Sequence, residues 1–366
     1  MKRTLLLTHE YYPYRGGIAR YCYELFSRLP LDRFTVLTDQ KGSDPAVPVV
    51  TRRLLSSFMK PGWLRGIYVV QKALTEFRSE VIFTPHLLPL GTVAEAVHAL
   101  KGTPYVISLH GLDINLALQN KKKLAENVLS HAVHIIANSE STAATVRQLK
   151  LNVPLTVLTP CLSRELLAID EAARTRIAHH YAGKTMILTV GRLVKRKGQD
   201  SVIRALPTVL RKVPTAHYCI VGDGPDRMYL EGLIRELGLS RHVQIRRNVP
   251  DRELGAYYEA ASVFAMPTRA IGPDVEGFGM VYLEAAYFSK AIIAGRSSGE
   301  AEALDGEQNA LFVDGENVDQ LAHTLRELLL DGELASFLGA NARKHVDSLP
   351  TWDAQAKILE GILSSV

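Results

Sequence analysis

The chain has 366 residues, 47% hydrophobic and 22% charged, with a formal net charge of +5. That length exceeds one typical core and predicts two domains, and the composition is that of a soluble globular protein. Three widely spaced cysteines, Cys22, Cys161 and Cys219, argue against a disulfide framework or zinc site and for reduced thiols in the cytoplasm.

Short apolar runs alternate with amphipathic stretches from end to end. Met1-Lys2-Arg3 leads into only Leu5-Leu6-Leu7 before His9 and Glu10, too short for a signal peptide, and predicts a first strand over 4–7. Pro13-Tyr14-Arg15-Gly16-Gly17-Ile18 follows, and Ile18, Cys22, Leu25, Phe26 and Leu29 then share one helical face. Gly16 and Gly17 open that helix, so its N–H groups can approach a phosphate or a sugar; a simple tight turn would use the same pair. Further strands are predicted over 81–83, 105–109, 135–137, 186–190, 218–221, 263–266 and 291–294. Strand-helix alternation of this kind implies parallel sheets covered on both faces, and there are too many units for one sheet. The break is expected near 161–170. No apolar run is long enough to span a bilayer.

The chemistry-bearing turns fall at the carboxyl ends of these strands, where open α/β sheets bind ligands. His110-Gly111-Leu112-Asp113 follows the strand at 105–109, which places His110 to face a ligand or to serve as a hydrogen-bonded structural histidine. Gly191-Arg192-Leu193-Val194-Lys195-Arg196-Lys197-Gly198 sets four cations by one strand end. Arg192 can fork two phosphate oxygens and Lys197 can add a point charge, while Lys195 and Arg196 read as solvated. Gly222-Asp223-Gly224-Pro225 is turn chemistry. The richest segment is Asp274-Val275-Glu276-Gly277-Phe278-Gly279-Met280-Val281-Tyr282-Leu283-Glu284. Its Gly-Phe-Gly turn lets backbone come close to a ligand, and the helix that follows offers free N–H groups and a positive dipole end to an anion. Glu276 in the loop and Glu284 in the helix can each take hydroxyl hydrogens. Diphosphate between two polyols describes a sugar nucleotide. An acidic loop before a helix with one satisfied buried carboxylate is the plainer reading.

These turns, in this order, resemble the retaining glycosyltransferases of family 4. The likeness also takes in Pro250-Asp251, Leu254, Tyr258, Pro267-Thr268 and Trp352, and covers nearly the whole chain. It implies an α/β fold of the GT-B type, two Rossmann-like domains with parallel sheets facing a central cleft. Residues 1–165 would hold the acceptor and 166–349 the nucleotide sugar, with a helix over 350–366 joining the first domain. It further implies that Arg192 and Lys197 clamp the diphosphate, that Glu276 contacts donor-sugar hydroxyls, and that Glu284 binds ribose. Gly277, Phe278, Gly279, Met280 and Val281 would supply backbone to sugar and phosphate. His110 would stabilise charge as the glycosidic bond breaks, and Gly16 and Gly17 would lie near the diphosphate. Val249 joins the donor-binding set, with base selection expected around 248–251. No cofactor and no metal is implied, in keeping with the lack of an Asp-x-Asp motif.

Retention by double displacement needs a carboxylate opposite the leaving group. No residue outside the donor-binding set offers one. The resemblance implies reaction on one face, through an oxocarbenium-like state, with the leaving phosphate taking the acceptor proton. Within the family, the 274–284 segment looks most like the phosphatidylinositol-mannoside mannosyltransferases. That favours GDP-mannose over UDP-glucose or UDP-N-acetylglucosamine. A nucleotide-sugar 2-epimerase shares the fold, but its extra acidic and histidine set is not evident. A silent binding subunit should have lost clamp residues that are present here. Ser297-Ser298-Gly299-Glu300-Ala301-Glu302 and Asn309-Ala310 depart from the family's usual loops.

The acceptor is expected to be lipid-linked or a saccharide, with nucleic acid not among the partners. Residues 1–165 carry 20 Lys+Arg against 12 Asp+Glu, and the remainder 23 against 26. In the basic half, Arg52, Arg53, Lys60 and Arg65 interleave with Leu54, Leu55, Phe58, Met59 and Trp63, and Lys121-Lys122-Lys123 follows later. Basic residues among aromatic anchors suit an anionic membrane surface, hence a peripheral place on the inner membrane face. A loop packed on its domain with exposed charge would read the same way.

Overall fold

A computed structural model describes residues 1–14, 16–42, 47–58, 60–297 and 299–366. Arg15, Met59 and Ser298, named above, lie outside the described residues. The chain divides into two compact units. The first comprises Met1–Pro160 with Pro350–Val366, and the second Cys161–Leu349.

In the first unit the strands are β1 (Thr4–Thr8), β2 (Phe34–Thr38), β3 (Val49–Thr51), β4 (Val81–Thr84), β5 (Tyr105–Leu109), β6 (His134–Ala137) and β7 (Leu155–Val157). All pair in parallel in the order β3-β2-β1-β4-β5-β6-β7. Strand order reverses between β1 and β4, the place where doubly wound sheets open toward ligands. The helices are α1 (Gly17–Phe26), α2 (Leu64–Glu76), α3 (Thr92–Lys101), α4 (Leu112–Ser130) and α5 (Glu140–Arg147). Every residue of β1, β4 and β5 is buried, as strands covered on both faces must be.

In the second unit come α6 (Glu171–His180), β8 (Thr185–Val190), α7 (Gln199–Leu210), β9 (Ala216–Val221), α8 (Arg227–Glu236), β10 (Val243–Arg246), α9 (Asp251–Ala260) and β11 (Val263–Met266). They are followed by α10 (Met280–Tyr287), β12 (Ala291–Ala294), α11 (Glu300–Leu304), β13 (Leu311–Phe312), α12 (Val318–Leu330) and α13 (Gly332–Ser348). The sheet order β10-β9-β8-β11-β12-β13 is again all parallel and reverses between β8 and β11. Successive side chains leave a strand on opposite faces. Met186, Leu188 and Val190 therefore join one core layer with Phe264 and Met266, while Ile187 joins the other with Tyr218, Val263 and Ala265.

The last helix, α14 (Trp352–Ser365), belongs to the first unit. Thr351 caps it by accepting the Ala354 N–H at 3.3 Å. Buried Trp352 meets the Tyr21 ring edge-on at 5.7 Å, and Lys2 N–H donates to the Leu363 carbonyl at 3.2 Å. No helix among the described residues is long and apolar enough to cross a membrane.

Candidate functional site

In the second unit, β8 runs into a tight turn over Lys195–Lys197 that ends at Gly198, φ +71. A Cβ on Gly198 would lie 2.1 Å from the Pro267 carbonyl oxygen, so only glycine lets this turn press against the end of β11. That contact seats Lys197 beside the loop leading to α10. Lys197 is 7% exposed and Glu276 likewise, and Lys197 Nζ lies 2.5 Å from Glu276 Oε2. Arg196 Nη1 donates to the same oxygen at 2.5 Å, and its Nε sits 3.0 Å from Asp274 Oδ1. The expectation that Arg196 is a solvated bystander is thus corrected: Glu276 draws it inward. Lys195 is exposed, as read.

Electrostatics follow from this packing. Burial pushes the Glu276 carboxyl up, but Lys197 and Arg196 outweigh that and hold it below the usual carboxylate range. For Arg196, burial opposes the charged form, and Glu276 with Asp274 more than restores it. Burial holds the Lys197 ammonium down despite Glu276.

Gly277, Phe278 and Gly279 lead from Glu276 into α10. Gly279 caps the helix at φ +87, and a Cβ there would strike the Tyr282 ring at 2.5 Å. Phe278 is buried, and Met280 and Val281 pack partly against the same core. Glu284 is buried further along α10, where Tyr258 Oη donates to its Oε2 at 2.6 Å. Glu300 accepts from the Thr268 and Ser297 hydroxyls. Val249 is half-buried beside Asn248, whose φ is +52. Arg192 is exposed at the end of β8. Lys197, Glu276 and the 277–281 turn are brought together; among the described residues Arg192 makes no ion pair with them.

The first unit gathers a separate set. Gly16 caps α1, which begins at Gly17. Tyr21 of α1 meets the His110 ring edge-on at 5.0 Å, so the α1 turn and the loop after β5 are neighbours. His110 N–H donates to Asp113 Oδ1 at 2.9 Å, and its Nε2 lies 3.4 Å from Ser108 Oγ. Burial takes the imidazole down to about 3, so it is neutral near pH 7, and raises the Asp113 carboxyl to about 6. Sequence reading missed the groups at the ends of β1, β2 and β4. His9 Nδ1 lies 3.1 Å from Asp39 Oδ1, and Thr8 Oγ1 lies 2.9 Å from His86 Nε2. It also missed Tyr258 as the partner of Glu284, and Asp274 as the second carboxylate beside Arg196. The one signal available for Asp274 was its charge two residues before Glu276, in a chain with four cations in the 192–197 turn.

Two parallel-sheet Rossmann-like units with a cation-paired glutamate before a glycine-capped helix define a glycosyltransferase of the GT-B class. Solved structures agree on the fold. Anabaena HepE, in complex with UDP and glucose, matches with a TM-score of 0.85 at 20% identity over 100% of both chains. The sucrose-phosphate synthase of Thermosynechococcus elongatus matches with a TM-score of 0.84 at 19% identity, over 99% of this chain and 98% of that one.

The sequence comparisons narrow the class. A family profile described as Glycosyltransferase Family 4 matches residues 15–164, and one described as Glycosyl transferases group 1 matches 172–345. The GDP-mannose-dependent alpha-(1-6)-phosphatidylinositol monomannoside mannosyltransferase of Mycobacterium tuberculosis is 31% identical over 379 residues, 99% of this chain and 98% of that protein. Its counterpart from Mycolicibacterium smegmatis is 29% identical over 98% of each. The chain belongs to glycosyltransferase family 4.

Proposed function

We propose that this enzyme transfers mannose, with retention, from GDP-mannose to a lipid-linked acceptor of the phosphatidylinositol-mannoside kind. The observation that carries the reading is the charge-paired Lys197–Glu276 contact beside the glycine-capped start of α10, in a chain whose full-length relatives are GDP-mannose-dependent mannosyltransferases. The second unit, residues 166–349 in the sequence division, takes the nucleotide sugar. Arg192 and Lys197 neutralise the leaving diphosphate, which makes a divalent metal dispensable. Glu276 takes donor-sugar hydroxyls, Glu284 takes ribose, and Val249 lies by the base. Gly277, Phe278, Gly279, Met280 and Val281 bring backbone N–H groups to sugar and phosphate. The first unit takes the acceptor, with Gly16 and Gly17 near the diphosphate. Neutral His110 offers the donor sugar a hydrogen bond, its ring held by Tyr21 and its backbone by Asp113.

Peripheral attachment to an anionic membrane face is part of the same proposal. Arg52, Arg53 and Arg65 line one recess with Tyr68, Val69 and Lys72. Phe58 is 91% exposed nearby in sequence and Tyr68 is 69% exposed. Cations with exposed aromatic rings suit anionic headgroups. Membrane contact would present lipid-linked acceptor directly to the first unit.

The test is a donor and acceptor screen on the purified protein. Transfer from GDP-mannose to phosphatidylinositol monomannoside in mixed vesicles, with α-anomeric product, is the expected result. Efficient use of UDP-glucose or UDP-N-acetylglucosamine in place of GDP-mannose would reassign the donor. Inverted product would remove retention.

A further inference from the structure

The second unit answers a question that the donor-site reading leaves open. Lys197 cannot clamp a diphosphate and neutralise Glu276 with the same ammonium in the same place. In the described structure it is spent on Glu276, at 2.5 Å. Arg196 and Lys197 bring two positive charges to this cluster, and Asp274 and Glu276 bring two negative ones. A donor diphosphate entering here competes with Glu276 for the ammonium. Glu276 is 7% exposed, so a carboxylate left without a cation would be strongly disfavoured.

Arg196 meets that need. Both cations reach the same carboxylate oxygen, Oε2, so either can hold it. Arg196 is anchored where Lys197 is not. Its Nε lies 3.0 Å from Asp274 Oδ1 while Nη1 holds Glu276. A planar guanidinium can serve two carboxylates at fixed angles, whereas an ammonium on a four-carbon stem swings as a point charge. Both ends of the fork are set by backbone. The Arg196 carbonyl accepts from Arg269 N–H at 2.9 Å. Asp274 closes a tight turn with Ile271, through bonds of 3.0 and 3.1 Å.

Resting on the donor-site reading, we propose that Arg196, braced by Asp274, is a positioning residue that keeps Glu276 in place for the donor sugar while Lys197 turns to the diphosphate. The division of labour is between a fixed cation and a mobile one. Arg196 need not touch the nucleotide. Glu276 faces Arg196 and Lys197 from the 195–197 turn and Tyr282 from α10, while Asp274 and Glu300 act on the cations: Asp274 on Arg196, and Glu300 of α11 on both. Removing one of its two cations should make it harder to ionise.

The experiment compares wild type, Arg196→Gln, Arg196→Lys, Asp274→Asn, the Arg196→Gln/Asp274→Asn double variant and Lys197→Ala. Each is measured for GDP affinity by calorimetry, for kcat and KM in mannosyl transfer across pH, and for folding by thermal denaturation. Arg196→Gln should lower kcat by about tenfold or more, the loss expected for one charge-assisted hydrogen bond. Its GDP affinity should stay within about threefold of wild type, while Lys197→Ala loses about tenfold or more. The acid limb of kcat should move to higher pH in Arg196→Gln. Arg196→Lys, which can hold only one carboxylate, should recover part of the loss. The double variant should be no worse than Arg196→Gln, because the pair acts as a unit. GDP affinity falling in Arg196→Gln as far as in Lys197→Ala would make Arg196 a phosphate ligand and overturn the proposal alone. So would unchanged kcat and pH profile in a folded Arg196→Gln, even with a lowered melting temperature. Wild-type protein that binds neither GDP nor UDP would overturn the donor-site reading itself, and this proposal with it.

Discussion

Arg192→Ala and Lys197→Ala should be equally damaging to transfer and unequal in their effect on folding. On the proposed clamp each removes one positive charge facing the diphosphate, and oriented groups of this kind contribute about 2–4 kcal/mol to the transition state. That corresponds to a loss of about 30- to 1,000-fold in kcat/KM. Arg192 is exposed, so its removal should move stability by no more than about 0.5 kcal/mol. Lys197 is buried against Glu276. A wholly uncompensated buried charge costs about 3–5 kcal/mol, but Arg196 remains on Oε2, so about 1–3 kcal/mol is the expectation.

The stability penalty should also depend on pH. The folded-state pKa of Glu276 lies below its unperturbed 4.5. Its contribution to stability is therefore complete above that value and is lost as the pH falls through the lower folded value. Lys197→Ala weakens the depression, so the gap between wild type and variant should narrow below about pH 4.5. Urea denaturation at pH 7 and pH 3.5, beside steady-state kinetics at pH 7, separates the two effects. Near-wild-type turnover in Arg192→Ala would refute the clamp. A Lys197→Ala variant as stable as wild type at pH 7 would refute the buried pairing.

Transfer should survive excess chelator, because in the proposed clamp Arg192 and Lys197 supply the charge a metal would bring; loss on chelation that magnesium or manganese restores would overturn this. Glu276→Ala should chiefly lower kcat, whereas Glu284→Ala should chiefly weaken GDP binding in calorimetry; equal loss of GDP affinity in both would remove the division between sugar and ribose. Serine at Arg52, Arg53, Lys60 and Arg65 together should abolish the salt-sensitive part of binding to phosphatidylglycerol vesicles and leave GDP affinity intact. Unaltered co-sedimentation of that variant would reduce the stretch to a solvated face.

Much of the architecture was legible because fully buried strands advertise themselves. Leu5-Leu6-Leu7 and Ala291 through Ala294 are continuous apolar runs, Tyr105 through Leu109 is broken only by Ser108, and each is a central or near-central strand. The strands that escaped have weaker patterns. β10 alternates Val243 and Ile245 with Gln244 and Arg246 at a sheet edge, β3 and β7 hold three residues each, and β13 only two. An edge strand covered on fewer sides has less need of apolar residues, so periodicity fades where pairing is still made. β2 is the exception: Phe34–Thr38 is nearly all buried beside β1, and its run was long enough to name.

The site was legible as a set of turns and much less so as a set of pairs. Glycines mark where the chain must come close to its neighbours: Gly198 to the Pro267 backbone and Gly279 to the Tyr282 ring. Which cation meets which carboxylate is another matter, because that depends on turns of the chain about 80 residues apart. Lys195, Arg196 and Lys197 are three cations in a row, and nothing in that run says which of them is buried. The fold decides it through the turn at Lys195–Lys197, which sends Lys195 outward and the next two toward Glu276. The same limit hid Tyr258, twenty-six positions before Glu284 yet within 2.6 Å of it. Glu284 is both buried and satisfied, so the plain structural reading and the ribose-binding one are not exclusive. A carboxylate oriented by Tyr258 presents a fixed acceptor to any hydroxyl that reaches it. On that argument Tyr258→Phe should weaken GDP binding in the same direction as Glu284→Ala but by less, about three- to tenfold, because a neutral hydroxyl hydrogen bond is lost and the carboxylate stays. Calorimetry on the two variants decides it. GDP affinity unchanged in Tyr258→Phe and lost in Glu284→Ala would show that the tyrosine packs the helix without orienting the glutamate.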